Sequence, residues 1–422
     1  MIQGGLTAKQ KAILVSVAES TSMVDATMRN LDELTRLLET AGGETFATII
    51  QVKEHLDPRT CIGSGKVDEI KTLCEQNDIH LVVFDFELSP SQIRNLEDAL
   101  GDVDVIDRSM LILDIFALHA VTAEGKLQVE LAQLKYTAPR LIGKGKDLSR
   151  QEGRIGTRGP GESQLETDRR HLKERLYALE KQLKDMQQKR LVMRASRDRS
   201  GIPKVGIVGY TNAGKSTLLN ALTDAGVLSE DKLFATLDAT TRRMVLPNGE
   251  PILLTDTVGF IRKLPHHLIK AFQSTLDEVT YSDILLVVSD ASDPEIDEHL
   301  EVTAELIQQL GAAEKPVIYV FNKCDLLEAW PEDTVEDDTY RVFVSAAEGR
   351  GLEQFCHVLE DVIAQTKRTV SLLIPYTDQG KLNLLYQNAQ VLNVEYQDDG
   401  IMVQAKMDNK AYGQFKMYVR TQ

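Results

Sequence analysis

The chain has 422 residues and a net charge of −16, with 42% hydrophobic and 27% charged residues. This composition is ordinary for a globular protein of two to four domains and excludes disordered or collagen-like chains. No apolar run approaches the roughly 20 residues of a membrane span, and the N-terminal segment lacks the apolar core of a secretory signal. We therefore expect a cytoplasmic protein. Four cysteines without a CxxC pair argue against a disulfide framework or a zinc ribbon.

Residues 1–124 alternate short apolar runs with stretches of helical periodicity. The pattern predicts strands at 12–17, 45–52, 80–87 and 102–107, with helices at 25–41, 65–77 and 89–100. Such alternation indicates a small α/β domain with a largely parallel sheet. The run GSGK at Gly63–Lys66 resembles a phosphate-binding loop, but Thr60 stands where the first glycine is needed. We interpret it as a turn before a helix.

Residues 125–200 have a different pattern. Leucines three and four residues apart, within 127–134 and 172–186, predict two helices that pair as an antiparallel hairpin. Pro139 is expected to end the first helix. Between residues 140 and 200 there are 17 Lys and Arg against nine Asp and Glu, a basic patch in an acidic chain. The glycine-rich segment joining the helices carries the basic residues that we expect to contact a polyanion: Arg140, Lys144, Lys146, Arg150, Arg154 and Arg158.

Residues 201–367 again alternate strands and helices, with strands predicted at 204–209, 252–256, 284–290, 316–321 and 341–345. This alternation predicts a doubly wound α/β sheet. Residues 368–422 contain short strand-like runs and predict a small C-terminal module. The sequence thus predicts four parts, at 1–124, 125–200, 201–367 and 368–422.

The run GYTNAGKS, at 209–216, follows an apolar strand and opens a predicted helix, which is the context of a phosphate-binding P-loop. Its glycines let backbone N–H groups turn toward phosphates, Lys215 supplies positive charge to the β- and γ-phosphates, and the Ser216 hydroxyl can bind Mg²⁺. The predicted nucleotide-binding residues of this loop are Gly209, Tyr210, Thr211, Asn212, Ala213, Gly214, Lys215, Ser216 and Thr217.

Three further short motifs follow at the carboxyl ends of predicted strands. In DTVG, Asp256 is placed to hold Mg²⁺ and the Gly259 backbone to meet a γ-phosphate. In NKCD, the Asp325 carboxylate can accept hydrogen bonds from guanine N1 and N2, which adenine does not offer, so it predicts selection of GTP. In SAA, a backbone N–H can meet guanine O6. The residues of these motifs are Asp256, Thr257, Val258, Gly259; Asn322, Lys323, Cys324, Asp325; and Ser345, Ala346, Ala347.

These motifs together resemble the translation-factor-like class of P-loop GTPases, from Pro203 to about Gln365. The resemblance implies a switch threonine between the P-loop and DTVG, for which Thr236, Thr240 and Thr241 are candidates. Likeness to related GTPases favours Thr236 as a ligand of Mg²⁺ beside Ser216 and Asp256. The expected catalytic residues are Lys215, Thr236 and Gly259, with Phe234, Ala235, Leu237 and Asp238 also lining the nucleotide.

Phe260 and Asn212 bear on how fast the protein is expected to hydrolyse GTP. Many GTPases carry a glutamine after the Asp-Thr-x-Gly motif to orient water, whereas this chain has Phe260, which has no donor or acceptor. We expect slow intrinsic hydrolysis that a partner or an ion stimulates; the alternative is that Phe260 packs in a core while another residue orients the water. Asn212 resembles the asparagine of potassium-assisted GTPases, so K⁺ is a candidate second cation.

The run GRIGTRGPGESQLETDRRHLKERL, at 153–176, resembles the signature of the HflX-type GTPases, which combine an N-terminal α/β domain, a helical hairpin and a GTPase domain in this order. The resemblance covers nearly the whole chain and implies a cytoplasmic GTPase that binds the large ribosomal subunit and its RNA, and that splits or rescues stalled ribosomes, notably under heat stress. We expect a monomer without membrane insertion. Two alternatives stay open: a ribosome-assembly GTPase, and a nucleotide-sensing binding module with little hydrolysis.

Overall fold

The computed structural model describes residues 10–150, 160–198, 202–223, 233–234, 239–263, 265, 268, 273–331, 340–407 and 409–420. They form two compact units. The first comprises residues 1–187, 228–238 and 258–276, and the second comprises residues 188–227, 239–257 and 277–422. The units are therefore interleaved along the chain, because residues 228–238 and 258–276 belong to the first unit although the segments before and after them belong to the second. No helix within the described ranges is both long enough and apolar enough to cross a membrane.

The first unit contains a four-stranded parallel sheet in the order β2-β1-β3-β4. The strands are β1 (Lys11–Ala18), β2 (Glu44–Val52), β3 (Leu81–Phe84) and β4 (Asp104–Asp107). The helices between them are α1 (Val24–Thr40), α2 (Ser64–Asn77) and α3 (Pro90–Leu100). The α/β alternation predicted from the sequence is confirmed, because branched apolar residues such as Ile13, Val15 and Val82 are buried on the sheet.

Helix α4 (Arg108–His119) follows β4 directly and has no counterpart among the predicted elements. Its N-terminus is capped by the Asp107 carboxylate, which accepts a hydrogen bond from the Met110 N–H at 3.0 Å. Its apolar residues lie on most sides and bury Leu111, Ile112 and Phe116. A helix that is apolar nearly all round is buried and has little amphipathic signal. This explains why helical periodicity did not reveal it.

Two long helices follow, α5 (Ala123–Arg150) and α6 (Pro160–Asp198). Ion pairs join them, from Lys135 to Glu180 at 2.7 Å and from Arg175 to Glu130. The prediction that Pro139 ends the first helix is wrong, since α5 continues to Arg150. A proline removes one backbone donor, and hydrogen bonds on either side of it can keep the helix intact.

The second unit contains a six-stranded sheet in the order β10-β9-β8-β5-β7-β6. Its strands are β5 (Lys204–Gly209), β6 (Thr240–Val245), β7 (Pro251–Asp256), β8 (Ile284–Asp290), β9 (Val317–Asn322) and β10 (Tyr340–Phe343). All neighbours pair in parallel except β6 and β7. The helices are α7 (Lys215–Thr223), α8 (Gln273–Tyr281), α9 (Ile296–Gln309) and α10 (Leu352–Thr366). The doubly wound sheet is confirmed, and only the antiparallel strand β6 was not predicted.

The C-terminal part of this unit forms an antiparallel sheet in the order β11-β13-β12. It comprises β11 (Arg368–Ile374), α11 (Gly380–Asn388), β12 (Gln390–Gln397), β13 (Gly400–Met407) and α12 (Asn409–Phe415). Val419 adds a bridge to Leu372 on the outer side of β11. Buried residues of β11 and β13, such as Leu372 and Val403, pack with Leu385 and Phe415 of the helices into a separate core.

Candidate functional site

The phosphate-binding motif lies between β5 and α7, at the carboxyl edge of the six-stranded sheet. Gly209 has φ 147°, and a Cβ there would lie 2.1 Å from the Val288 carbonyl oxygen. Gly214 has φ 87°, and its Cβ would lie 2.2 Å from Asn322 Nδ2. Only glycine fits both positions, because the neighbouring atoms and the backbone conformation exclude a side chain. The loop predicted from the sequence therefore has the close packing that its glycines imply.

Lys215 begins α7, and its side chain is buried. Its ammonium group donates a hydrogen bond to the Tyr210 carbonyl oxygen at 2.7 Å. Burial lowers the pKa of Lys215 to about 8, and the nearby charge of Asp256 opposes this shift. A weakly solvated ammonium at a helix N-terminus is a strong site for phosphate oxygens.

Asp256 ends β7 and is completely buried. Its Oδ2 accepts a hydrogen bond from the Ser216 hydroxyl at 2.6 Å, whereas its Oδ1 is buried without a hydrogen-bond partner in the described part of the chain. Burial raises the pKa of Asp256, although Lys215 and Ser216 act in the opposite direction. A buried acceptor with no donor, beside a hydroxyl, fits a cation or a cation-bound water. These two side chains therefore fit the Mg²⁺ that accompanies GTP in P-loop GTPases.

Asn322, at the end of β9, connects two of the predicted loops. Its Nδ2 donates to the Ala213 carbonyl in the P-loop at 3.0 Å, and its Oδ1 accepts from the Ala346 N–H at 3.0 Å. The asparagine of the NKCD motif thus holds the P-loop and the SAA loop at a fixed separation. The Ala346 N–H therefore helps to fix the position of the SAA loop by donating to Asn322.

The remaining residues of the base-recognition motifs lie next to Asn322. Lys323 has φ 63° and forms an ion pair with Asp290 at 2.7 Å. Cys324 is buried, and the side chain of Asp325 is exposed. Ser345 is fully buried, and its hydroxyl accepts from the Glu348 N–H at 3.2 Å. The exposed Asp325 side chain is accessible to a nucleotide base, and its selection of GTP stays a prediction.

Of the candidate switch threonines, Thr240 and Thr241 are among the described residues and Thr236 is not. Ala235, Thr236, Leu237 and Asp238 lie outside the described residues, so the role of Thr236 stays a prediction. The other two candidates lie on β6, where Thr241 shares a hydrogen bond with Thr255 at 3.0 Å. Thr257 donates to the Ile207 carbonyl at 2.7 Å. Val258 and Gly259 follow in the chain but belong to the first unit.

In the first unit, the segment after Gly259 lies against α4. The guanidinium of Arg108 donates to the Arg262 carbonyl oxygen at 3.0 Å, and Lys263 forms an ion pair with Asp85 at 3.0 Å. Phe260 is buried. This burial agrees with the packing half of the alternative interpretation, whereas slow intrinsic hydrolysis and the residue that orients the water stay predictions.

Phe234, from the predicted switch segment, also contacts α4. Its ring meets the Phe116 ring edge to face, with centroids 4.8 Å apart. Helix α4 therefore contacts residues from both segments expected to respond to the nucleotide. These contacts of α4 were not predicted; the signals in the sequence were an aspartate at the end of each of two strands, Asp85 and Asp107, and Arg108 directly after the second.

The predicted polyanion-binding residues are partly described. The segment 140–150, which holds Arg140, Lys144, Lys146 and Arg150, is the last part of α5 rather than a loop. Arg154 and Arg158 lie outside the described residues. Placing the first four on a helix changes the expected contact surface from an adaptable loop to a helix end.

Comparisons with known proteins agree with this arrangement. Family models match at residues 28–117 (GTP-binding GTPase N-terminal), 119–197 (GTP-binding GTPase middle region) and 204–323 (50S ribosome-binding GTPase). GTPase HflX of Lacrimispora saccharolytica is 49% identical over 404 residues, covering 96% of this chain and 95% of that protein. GTPase HflX of Escherichia coli K12 is 40% identical, covering 95% and 94%.

Among solved structures, a GTP-binding protein from the archaeon Sulfolobus solfataricus in complex with GDP aligns with a TM-score of 0.44 and 26% identity. The alignment covers 84% of this chain and 99% of that one. The near full-length identity to the two bacterial relatives, together with the P-loop and its buried lysine and aspartate, is the basis of the assignment. The chain belongs to the HflX family of GTPases and is an enzyme that hydrolyses GTP.

Proposed function

We propose that this GTPase binds the large ribosomal subunit and uses a GTP-gated switch to split or rescue stalled ribosomes, including under heat stress. With GTP bound, Thr236 and the segment after Gly259 would become ordered around the γ-phosphate and the Mg²⁺ that Ser216, Asp256 and Thr236 would hold. The N-terminal domain and the two long helices then bind ribosomal RNA. The bound ribosome completes the hydrolytic site. Loss of phosphate reverses the ordering and releases the protein.

The contact of α4 with both switch segments is the observation that carries this proposal. Phe116 packs on Phe234, and Arg108 binds the main chain at Arg262. Any nucleotide-dependent movement of these segments must change contacts to α4, which packs on α1 and α5. The state of the nucleotide is thereby coupled to the surfaces that would meet the ribosome.

The ribosomal partner is supported by charge and by the family. The model that matches residues 204–323 describes a 50S ribosome-binding GTPase. A chain with net charge −16 is repelled by RNA unless it offers a local basic patch, and Arg140, Lys144, Lys146, Arg150, Arg154 and Arg158 supply one. Binding should therefore weaken steeply with salt.

At the nucleotide, Lys215 neutralises the β- and γ-phosphates. Ser216, Asp256 and Thr236 would hold Mg²⁺, which would supply positive charge to offset the negative charge that develops on the phosphates. The Gly259 backbone meets the γ-phosphate. Asn212, with φ 62° in the P-loop, is the residue that would hold K⁺. Equal turnover in KCl and NaCl at the same ionic strength would exclude potassium activation.

The main test is GTP turnover with and without purified large subunits. We expect slow turnover alone and strong stimulation by the subunit. The triple variant Arg150→Glu, Arg154→Glu, Arg158→Glu should lose co-sedimentation with the subunit and keep its affinity for GTP. Splitting supported by a non-hydrolysable GTP analogue would place hydrolysis after separation, and no splitting with the analogue would contradict the proposed order.

The guanine assignment has its own test. Asp325→Asn replaces one carboxylate oxygen by an NH2 donor. The variant should therefore lose affinity for GDP and gain affinity for xanthosine diphosphate, whose base carries an acceptor oxygen on C2 where guanine has the amino group. Calorimetry with both nucleotides measures the exchange of preference. Unchanged preference in the variant would show that Asp325 does not recognise the base.

A further inference from the structure

A histidine outside the motifs stacks on the phosphate-binding loop. The imidazole of His299, on α9, lies parallel to the ring of Tyr210, with centroids 3.7 Å apart and planes inclined by 15°. Tyr210 is only 7% exposed, and the side chain of His299 is 12% exposed. Two nearly buried rings in face-to-face contact fix each other's orientation more narrowly than apolar contact alone.

His299 is itself held from several sides. Its Nδ1 lies 3.6 Å from the carboxylate of Asp293, in the turn that precedes α9. Its backbone N–H donates to the Glu295 carbonyl at 3.1 Å, and its carbonyl accepts from the Thr303 hydroxyl at 2.8 Å. The helix thus presents the imidazole to Tyr210 from a fixed position.

Tyr210 in turn supplies a main-chain atom of the phosphate site. Its carbonyl oxygen accepts the hydrogen bond from Lys215 Nζ at 2.7 Å and lies 3.4 Å from the Ala213 N–H. The orientation of the Tyr210 peptide therefore sets where the lysine ammonium lies. Anchoring of the Tyr210 ring by His299 restrains the position of the Tyr210 Cα and so limits displacement of the peptide that carries this carbonyl.

We propose that His299 is a positioning residue for the P-loop: by stacking on Tyr210, it holds the Tyr210 carbonyl that receives Lys215 and so slows release of the nucleotide. This rests on the assignment of residues 209–217 as the nucleotide site. A residue that only filled space would be replaced equally well by any apolar side chain of similar size. The stacking role requires an aromatic ring.

The experiment compares His299→Leu, which fills space without a ring, with His299→Phe, which keeps the ring. Release of a fluorescent GDP analogue is followed by stopped flow, together with kcat and KM for GTP. We expect His299→Leu to release GDP about 3- to 10-fold faster and to raise KM, with kcat changed less than about twofold. His299→Phe should restore release to near the unsubstituted rate.

A double-mutant cycle isolates the contact. In the background Tyr210→Leu, adding His299→Leu should have little further effect, because the stack is already lost. His357→Leu is the matched control. Like His299, His357 lies on a helix close to a carboxylate, that of Glu360 at 3.3 Å, but its side chain is 54% exposed. It should leave GDP release unchanged.

Equal release rates for the unsubstituted protein and His299→Leu would overturn the proposal, as would a His299→Phe variant as fast as His299→Leu. If His299→Leu does not fold, the comparison of His299→Phe with His299→Gln, which is polar but has no ring, decides the question on the same measurement. Failure of the unsubstituted protein to bind GDP would instead refute the nucleotide site itself.

Discussion

Fully buried aspartates lie at the carboxyl ends of parallel strands in both units, yet these aspartates have different surroundings. In the first unit, Asp85 accepts from Arg108 at 2.9 Å and from Lys263 at 3.0 Å. Asp107 accepts from the Leu88 and Met110 N–H groups and from the Tyr136 hydroxyl. In the second unit, Asp256 leaves Oδ1 without a donor. A buried carboxylate with all its acceptors paired supports the fold, whereas a buried carboxylate with an unpaired oxygen is available to a ligand.

Removing the charge of Asp256 should give the largest effect on function. Asp256→Asn keeps the shape but weakens Mg²⁺ binding, so we expect single-turnover GTP hydrolysis to fall about 1000-fold, or about 4 kcal/mol in the barrier. Stability to urea should stay the same or increase, because a buried charge is removed. The exposed β4 residue Asp104 provides the control Asp104→Asn, which should change neither quantity. A variant that hydrolyses GTP normally would contradict the assigned role.

Removing the cation of the first unit should instead reduce stability. Arg108→Met leaves the carboxylates of Asp85 and Glu33 buried without their main partner, which typically costs about 3–5 kcal/mol. Urea unfolding of the first unit measures the loss. Arg36 lies exposed on α1, and Arg36→Met is the control. We expect it to change the free energy of unfolding by no more than about 0.5 kcal/mol. A loss no larger than the control's would show that this network does not stabilise the fold.

A fourth aspartate, Asp114, shows the effect of burial on a carboxyl group that has a single hydrogen-bond partner in the described part of the chain. Asp114 lies on α4, where its Oδ1 accepts from Gln133 Nε2 at 3.1 Å, and burial raises its pKa from 3.8 to about 7. The folded state therefore holds the proton more tightly than the unfolded state. Its contribution to stability is complete below pH 3.8 and is lost as the pH rises through about 7.

Asp114→Asn cannot ionise, so relative to the unsubstituted protein it should gain about 1–3 kcal/mol at pH 8 and little at pH 4.5. Urea unfolding of both proteins across this pH range gives the difference. A difference that does not vary with pH would mean that the carboxyl group of Asp114 titrates normally in the folded protein.

The smallest effect is expected at the exposed end of the Asp85 network. The side chain of Lys263 is 51% exposed, so its ion pair is screened by water. Lys263→Gln should change stability by no more than about 0.5 kcal/mol. Comparison with Arg108→Met in the same unfolding assay tests whether burial of the cation determines how much its ion pair with Asp85 contributes to stability. Equal losses in the two variants would contradict this explanation.

Most helices and strands could be located from sequence periodicity. The helices bury one face, and the strands are short apolar runs with polar residues or glycines on either side. The strands ending at Asp107, Gly209, Asp256 and Asn322 were placed within a few residues, and the glycine spacing located the P-loop. Helix α4 was missed because it is apolar nearly all round, and the end of α5 was misplaced because Pro139 does not interrupt it. Periodicity reveals a helix only when one face is apolar and the other polar, which is not the case in α4. In α5 the error came from the proline and not from the periodicity.

The class of the fold, the phosphate-binding loop and the order of the predicted guanine-recognition motifs could be predicted from the sequence, since they depend on local residue types at fixed spacing. How these residues use their hydrogen bonds depends on the folded chain. It paired Asn322 with two loops, left Asp256 Oδ1 without a donor, and brought Arg108 to Arg262 and His299 to Tyr210. Such contacts join positions far apart in the chain, and nothing in the local pattern of either partner specifies the other.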